Sequence, residues 1–274
     1  ALGRHLAYKN KVELRFDVRS YKTNPLGDYS FSLESFNIKI RENLATFWDI
    51  KKFKIYQKRF GKIWTIYNRL IADEKKYVQE KNFHFDQNVL ALKDNVYLDG
   101  WWQNEKYFID IRDILLQDFT AVHPLEGKNK ETAKEIAHSN SVGIHIRRLD
   151  YVTNPKTSEY HGVLTKEYYD RALSLISSKI PNPTLFIFSD DSKWAEKNVS
   201  FPFKTIHIGW NFESPHEDIR LMSLCKHHIV ANSSFGWWGA WLATNPNKMV
   251  VAPKRWTNDK RDTNERVPEK WMKI

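Results

Sequence analysis

S-V-G-I-H-I-R-R-L-D-Y-V, residues 141 to 152, decides how the rest of this chain is read. Val142, Ile144 and Ile146 form the apolar pattern of a short buried strand, and His145, Arg147, Arg148 and Asp150 gather at its carboxyl end. In an open α/β sheet that end of a strand is where ligands bind. Two adjacent guanidiniums beside a core call for charge partners. A planar fork that stays ionised at any working pH suits a phosphate or carboxylate held in bidentate fashion. The competing reading is structural: Arg147 and Arg148 pair with Asp150 and a distant glutamate in an ion network.

Beyond this stretch, strand and helix patterns alternate. T-L-F-I-F-S-D, K-T-I-H-I, H-I-V-A-N and K-M-V-V-A-P read as strands. Between them, K-E-Y-Y-D-R-A-L-S-L-I, D-S-K-W-A-E-K, E-D-I-R-L-M-S-L-C and S-F-G-W-W-G-A-W-L-A read as helices. Such alternation predicts a parallel sheet with right-handed crossovers, a Rossmann-like half. No G-x-G-x-x-G follows its first strand, so it is not a dinucleotide fingerprint domain, and a phosphate must be held by other groups. Three strand ends carry polar residues: the first has the His145–Asp150 set, the second Ser189, Asp190 and Asp191, the fourth Asn232, Ser233 and Ser234. Asn-Ser-Ser before a helix is an N-cap signal, and the same geometry aims backbone N–H groups and hydroxyls at an anion. With two arginines on a neighbouring strand end, the anion site is the better account. His227 and His228 have no acidic or Cys partner at ligand spacing, so a metal site is rejected.

Upstream, residues 1 to 9 read as the tail of a helix and V-E-L-R-F-D-V, residues 12 to 18, as a strand with alternating faces. An α/β domain would place a strand and turn before that helix, which predicts that the amino-terminal strand and turn are missing. Residues 21 to 36 are loop-like. Residues 41 to 83 interleave bases and aromatics, which could suit single-stranded nucleic acid, although a basic amphipathic surface on water or anionic lipid is the preferred reading. Residues 95 to 119 open as a strand and turn. From Glu105 they continue as a helix with Phe108, Ile111, Ile114 and Leu115 on one face. Trp101, Trp102 and Gln103 at the join either anchor the core or stack on a sugar on the acceptor side. Polar residues 124 to 132 set a domain boundary, giving domains 1–128 and 129–274.

The 274 residues suffice for a large core, and the single cysteine, Cys225, reads as a packed thiol. No apolar run reaches the length of a membrane span and there is no secretory signal, so a cytoplasmic protein is expected. A net charge of +10 calls for an acidic partner: a nucleic acid, an anionic membrane or a small phosphorylated ligand.

His145-Ile-Arg147-Arg148-Leu-Asp150 resembles the H-x-R-R-x-D motif of the α1,2-fucosyltransferases and the related α1,6- and protein O-fucosyltransferases. D-G-W-W-Q-N-E-K-Y-F, F-S-D-D with Trp194 after it, the long H-E-D-I-R-L-M-S-L-C-K-H-H-I-V-A-N-S-S-F-G-W-W-G-A-W-L, and A-P-K-R-W are similar to bacterial α1,2-fucosyltransferases. The resemblance to this family, glycosyltransferase family 11, runs from Ala1 to Trp256. It implies a GT-B enzyme: two Rossmann-like domains facing a cleft, the first mainly for acceptor, the second for GDP-fucose. The implied reaction moves L-fucose from GDP-L-fucose to the 2-hydroxyl of a galactose-terminated glycan or glycolipid, with inversion, and with neither metal nor cofactor.

The resemblance implies that Arg147 holds the β-phosphate, that His145 lies by the nucleotide, that Asp218 pairs with guanine and that Ser234 holds phosphate. Arg148, Asp190, Asp191, Asn232, Ser233 and Phe235 complete the donor-side candidates. Asp150 is either the general base or the carboxylate that orients an arginine. The family's upstream G-G-L-G-N-Q turn is absent. Gly236 stands where the family usually has Ser, a change expected to carry little weight. The alternatives are a fucosyltransferase of other linkage or acceptor, and a nucleic-acid or polyanion binder using residues 41 to 83. Of these partners, the nucleotide sugar is expected and nucleic acid is not. The basic first domain predicts peripheral attachment to the anionic inner face of a membrane.

Overall fold

The computed structural model describes residues 1–19, 21, 32–51, 53, 77–259 and 261–274. It divides into two compact units, Ala1–Thr120 and Ala121–Ile274.

Unit 1 opens with helix α1 (Leu2–Asn10), whose Leu2, Leu6 and Ala7 are buried. Lys11 closes it in the left-handed region, returning its N–H to Tyr8. Helix α2 (Phe47–Lys51), strands β1 (Tyr77–Gln79) and β2 (Tyr97–Asp99), paired in parallel, and helix α3 (Arg112–Asp118) follow. Two sequence expectations are corrected here. The stretch Val12–Val18 is not a strand: it keeps the expected alternation of exposure over Val12–Phe16 but makes a single bridge, Phe16 to Leu44, so no ladder forms along it. Residues from Glu105 do not run as one helix either. Two short 3₁₀ turns, Glu105–Tyr107 and Ile109–Ile111, precede α3. Asn104 caps the first, and Phe108, off helical geometry at φ −150°, separates them. Tyr107, Phe108, Ile111 and Leu115 are buried all the same, so the apolar spacing was met by a mixed path. Most of the basic, aromatic stretch 41–83 lies outside the described residues, as does most of the loop 21–36.

Unit 2 begins with helix α4 (Gly127–His138) and strand β3 (Ser141–Ile146), then short helices α5 (Leu149–Thr153) and α6 (Pro155–His161) and helix α7 (Lys166–Ser177). Strand β4 (Thr184–Ser189), helix α8 (Ser192–Asn198), strand β5 (Thr205–Ile208) and helix α9 (Pro215–Leu224) continue the alternation. Strand β6 (His227–Ile229), helix α10 (Ser234–Leu242) and strands β7 (Val250–Ala252) and β8 (Met272–Lys273) complete it. The strands lie in the order β5-β4-β3-β6-β7-β8, every neighbouring pair parallel. This is the α/β, Rossmann-like arrangement the alternation predicted.

Both faces of the sheet are covered, which is why its central strands read as continuous apolar runs. Leu185 and Ile187 of β4 pack with Val142, Ile144, Leu173 and Ile176 on one face. Phe186 and Phe188 pack with Ile136, Ile208, Leu221 and Met222 on the other. Truncating one such buried Leu or Ile to Ala costs about 2–5 kcal/mol. Cys225 ends α9 fully buried, its thiol pKa pushed up by burial. It is a packed thiol, as expected.

Candidate functional site

Strand order places the site. From β3 the chain moves outward through β4 to β5, then returns to the other side of β3 with β6. The order therefore reverses between β3 and β6, and a crevice opens outside the carboxyl ends of strands at such a switch point. Strand β3 ends with His145 and Ile146 and runs into Arg147 to Asp150; beyond β6 lie Asn232 to Phe235.

Arg147 is clamped. Its Nη2 lies 2.7 Å from Asp150 Oδ1 and its Nε 3.2 Å from Asp190 Oδ2. The guanidinium stands over the Tyr151 ring at 5.5 Å, and its side chain is only 14% exposed. Arg148 stacks on Trp194 at 3.8 Å with Asp191 3.6 Å from its Nε. Among the described residues the carboxylates facing these two arginines are three aspartates, Asp150, Asp190 and Asp191. Asp190 also accepts the backbone N–H groups of Arg148 and Leu149, at 2.8 and 3.1 Å, and so fixes the turn out of β3. Asp191 accepts from the Trp194 N–H and caps α8. Burial pushes the Asp190 carboxyl up, opposed by the Arg147 charge and the two N–H donors.

His145 is buried, with no hydrogen-bond partner for Nδ1 among the described residues, and its ring lies 5.6 Å from that of Phe235. Burial and the nearby Arg147 charge lower its pKa to about 3, so the imidazole is neutral. Gly236 bears on this directly. A Cβ there would lie 2.6 Å from His145 Cγ and Nδ1, so the Gly-for-Ser difference is not minor: the ring occupies the space a side chain would need.

Across the switch point, Ser233 caps α10 by accepting the Phe235 N–H, as the Asn-Ser-Ser signal predicted. Asn232 is buried; its amide donates to the carbonyls of His161 and Trp256, and its own carbonyl accepts the Tyr151 hydroxyl. Ser234 is half-buried at the first turn of α10. Sequence reasoning did not single out Tyr151 or His161. Their rings stack 4.6 Å apart, holding α5 against α6 beside Arg147.

Asp218 sits in the first turn of α9, after β5. It accepts from Asn211 Nδ2 at 2.8 Å, and burial raises its pKa to about 6.

In unit 1, Trp101 is 75% exposed, which corrects the core-anchor reading for that residue. Its N–H donates to Glu80. Trp102 is half-buried with its backbone in the left-handed region (φ 50°), edge-on to Tyr107; its indole N–H and the Gln103 amide nitrogen are buried and have no hydrogen-bond partner among the described residues. A cavity of about 350 Å³ also lies within unit 1, walled by Leu6, Leu14, Tyr97, Glu13 and Asp17. Its lining mixes Arg15 and Lys93 with Glu13, Asp17, Asp49 and Asp94, and it contains none of the arginine-site residues of unit 2.

The arrangement in unit 2 is suited to an anionic ligand at a nucleotide-type crevice with a carboxylate at one side. Comparison with known proteins narrows this. The family model described as "Glycosyl transferase family 11" matches residues 21–274. The chain is 32% identical over 97% of its length to an Escherichia coli protein named alpha-1,2-colitosyltransferase, covering 92% of that protein. It is 33% identical over 82% of its length to the Escherichia coli O-antigen biosynthesis glycosyltransferase WbnK, covering 78% of it. It is 29% identical over 54% of its length to the Bos taurus galactoside 2-alpha-L-fucosyltransferase SEC1, covering 42% of it. With matches of this extent the conclusion is plain: the chain belongs to glycosyl transferase family 11 and is a glycosyltransferase.

Proposed function

We propose that this glycosyltransferase moves L-fucose from GDP-L-fucose to the 2-hydroxyl of a galactoside, with inversion and without a metal, in a GT-B architecture. The carrying observation is Arg147, a clamped guanidinium at the carboxyl end of β3 beside the switch point. The names of the relatives, α1,2-colitosyl and galactoside α1,2-fucosyl transferases, support the reaction class.

The chemistry runs as a single displacement. The acceptor hydroxyl oxygen bonds to the anomeric carbon while the bond from that carbon to the β-phosphate oxygen breaks. Charge builds on the departing GDP, and a preorganised guanidinium there stabilises the transition state more than the ground state. Two guanidiniums face three carboxylates, so phosphate competes with Asp150 and Asp190 for Arg147 rather than entering a bare cationic hole. The hydroxyl proton passes to Asp150, which is the more exposed of the two Arg147 partners and orients that arginine until phosphate arrives. Neutral His145 lies by the nucleotide without adding charge. Asp218 accepts from the ring N–H and amino group of guanine, and Ser233, Ser234 and the first turn of α10 meet the phosphates. Trp101 offers an exposed ring to the acceptor sugar.

Among the described residues no helix is long and apolar enough to cross a membrane. From the net charge of +10 we infer a cytoplasmic protein in peripheral contact with anionic lipid.

The test is Arg147→Lys, which keeps the charge and loses the fork. Turnover with GDP-fucose and a galactose-terminated acceptor should fall about 10²–10³-fold, as for loss of one transition-state donor. Near-normal turnover would overturn the role. A second reading of the sugar, colitosyl in place of fucosyl, is favoured by the 32% identity over almost the whole chain. Mass spectrometry of the product formed from each nucleotide sugar separates the two.

A further inference from the structure

The hydrogen bonds around Asp218 have a direction. An indole N–H can only donate, and Trp210 Nε1 donates to Asn129 Oδ1 at 2.7 Å. That turns the NH₂ of Asn129 toward Asn211, where Nδ2 donates to Asn211 Oδ1 at 2.9 Å. Asn211 must then present its own NH₂, which donates to Asn129 Oδ1 at 3.1 Å and to Asp218 Oδ1 at 2.8 Å. Each amide is thereby fixed against a flip, and the series ends on a carboxylate that can only accept while ionised.

The residues come from three elements: Asn129 from α4, Trp210 and Asn211 from the turn after β5, and Asp218 from α9. Asn211 is 6% exposed, and its backbone carbonyl accepts the Ser214 N–H next to α9, so burial and a fixed backbone leave the side-chain amide little freedom to move away. Lys128 lies over the Trp210 ring at 5.4 Å and restrains the anchor.

We propose that Trp210, Asn129 and Asn211 form a polarity relay that positions Asp218 to read nucleobases presenting two adjacent N–H donors, making them positioning residues for guanine selectivity. This rests on the reading of Asp218 as the guanine contact. The relay holds Oδ1 in place and leaves the carboxylate oriented as an acceptor. A base with an acceptor at that edge meets a lone pair and is refused. The relay also opposes the effect of burial on Asp218. Burial and the charge of Glu217, its neighbour on the same helix, favour the protonated form, and the Asn211 donor favours the ionised one. From α4 the neutral amide of Asn129 faces this group through Asn211.

The experiment is calorimetric titration of GDP, IDP and ADP into the 274-residue chain across pH 5 to 8, for the wild type, Asp218→Asn, Asn211→Leu and Trp210→Phe. IDP keeps the ring N–H and lacks the exocyclic amino group, so the GDP-to-IDP affinity ratio reads one charge-assisted hydrogen bond, a factor of about ten or more. The wild type should prefer GDP and lose that preference as pH falls through about 6, where Asp218 takes up a proton. Asn211→Leu should bring the ratio close to one and move the pH midpoint upward. Trp210→Phe, which keeps an aromatic ring at a partly exposed position and removes the N–H donor, should shift both in the same direction by less. If Asp218→Asn abolishes the preference while Trp210→Phe and Asn211→Leu keep the wild-type ratio and midpoint, the relay is overturned and the guanine contact stands. If Asp218→Asn leaves the ratio unchanged, or the wild type shows no preference for GDP, the guanine reading falls and the relay with it.

Discussion

Asp218→Asn should make the protein more stable while removing its guanine preference. The folded-state pKa of Asp218 lies near 6, against an ordinary value of 3.8, because burial disfavours the carboxylate. A raised carboxyl pKa means the fold penalises the charged form. The penalty is present in full above about pH 6, shrinks between 6 and 4, and is gone below. About two pKa units at 1.36 kcal/mol each correspond to roughly 3 kcal/mol. Asparagine removes the charge and still accepts from Asn211, so the variant should gain up to about 3 kcal/mol at pH 8 and nothing at pH 4. For a unit of this size that is a rise on the order of 5–10 °C in melting temperature at pH 8. Urea denaturation of both proteins at pH 8, 6 and 4 measures it. A variant no more stable at pH 8, or an advantage that persists undiminished at pH 4, would refute the reasoning. A carboxylate retained at such expense implies use, which is why loss of GDP-over-IDP selectivity belongs to the same prediction.

The remaining predictions concern other parts of the site. Gly236→Ser must move the buried His145 ring by about 0.8 Å to restore ordinary contact. It should lower stability by about 1–3 kcal/mol, read as a fall in melting temperature, and a variant as stable as the wild type would show that the ring yields freely. Asp150→Asn should lower turnover about 10²–10⁴-fold. It should also tighten GDP binding, since phosphate no longer competes with a carboxylate 2.7 Å from the Arg147 guanidinium; weakened GDP binding would show that Asp150 acts chiefly by orienting the arginine. Trp101→Ala should raise the acceptor KM without altering GDP affinity. The ring is 75% exposed, so stability should change by no more than about 0.5 kcal/mol, and an unchanged acceptor KM removes it from the acceptor site.

The parallel sheet was legible because its strands are buried on both faces. Leu185 to Phe188 can only be a continuous apolar run, and such runs bounded by polar strand ends survive as a signal in any single sequence. Unit 1 was less legible for the opposite reason. Val12 to Phe16 have the alternation of a strand, yet a strand is defined by partners, and a lone bridge from Phe16 to Leu44 is not a ladder. Phe108 and Ile111 have helical spacing, but the turns that deliver them are 3₁₀, because Asn104 starts a tight turn and Phe108 breaks it. Apolar spacing reports which residues are buried more securely than it reports the backbone path that buries them.

The same distinction runs through the site. Arg147, Arg148 and Asp150 are adjacent in sequence, so their charge could be read at once, and Ser233 betrayed its cap through local chemistry alone. Asp150 was readable as a partner of the arginines, but their pairing with Asp190 and Asp191 was not, because these arrive from the end of the next strand, some forty residues on. Gly236 looked incidental in sequence because its importance lies in what it does not fill, the volume taken by a histidine from another element. Asn129 and Asn211 carried no signal whatever: amides are common, and only a fold that brings α4 beside the turn after β5 gives the pair a direction. A neutral amide chosen for its orientation has no periodicity, charge or motif by which to be found. Its role follows from the donor that anchors it, Trp210, and the acceptor at which it ends, Asp218.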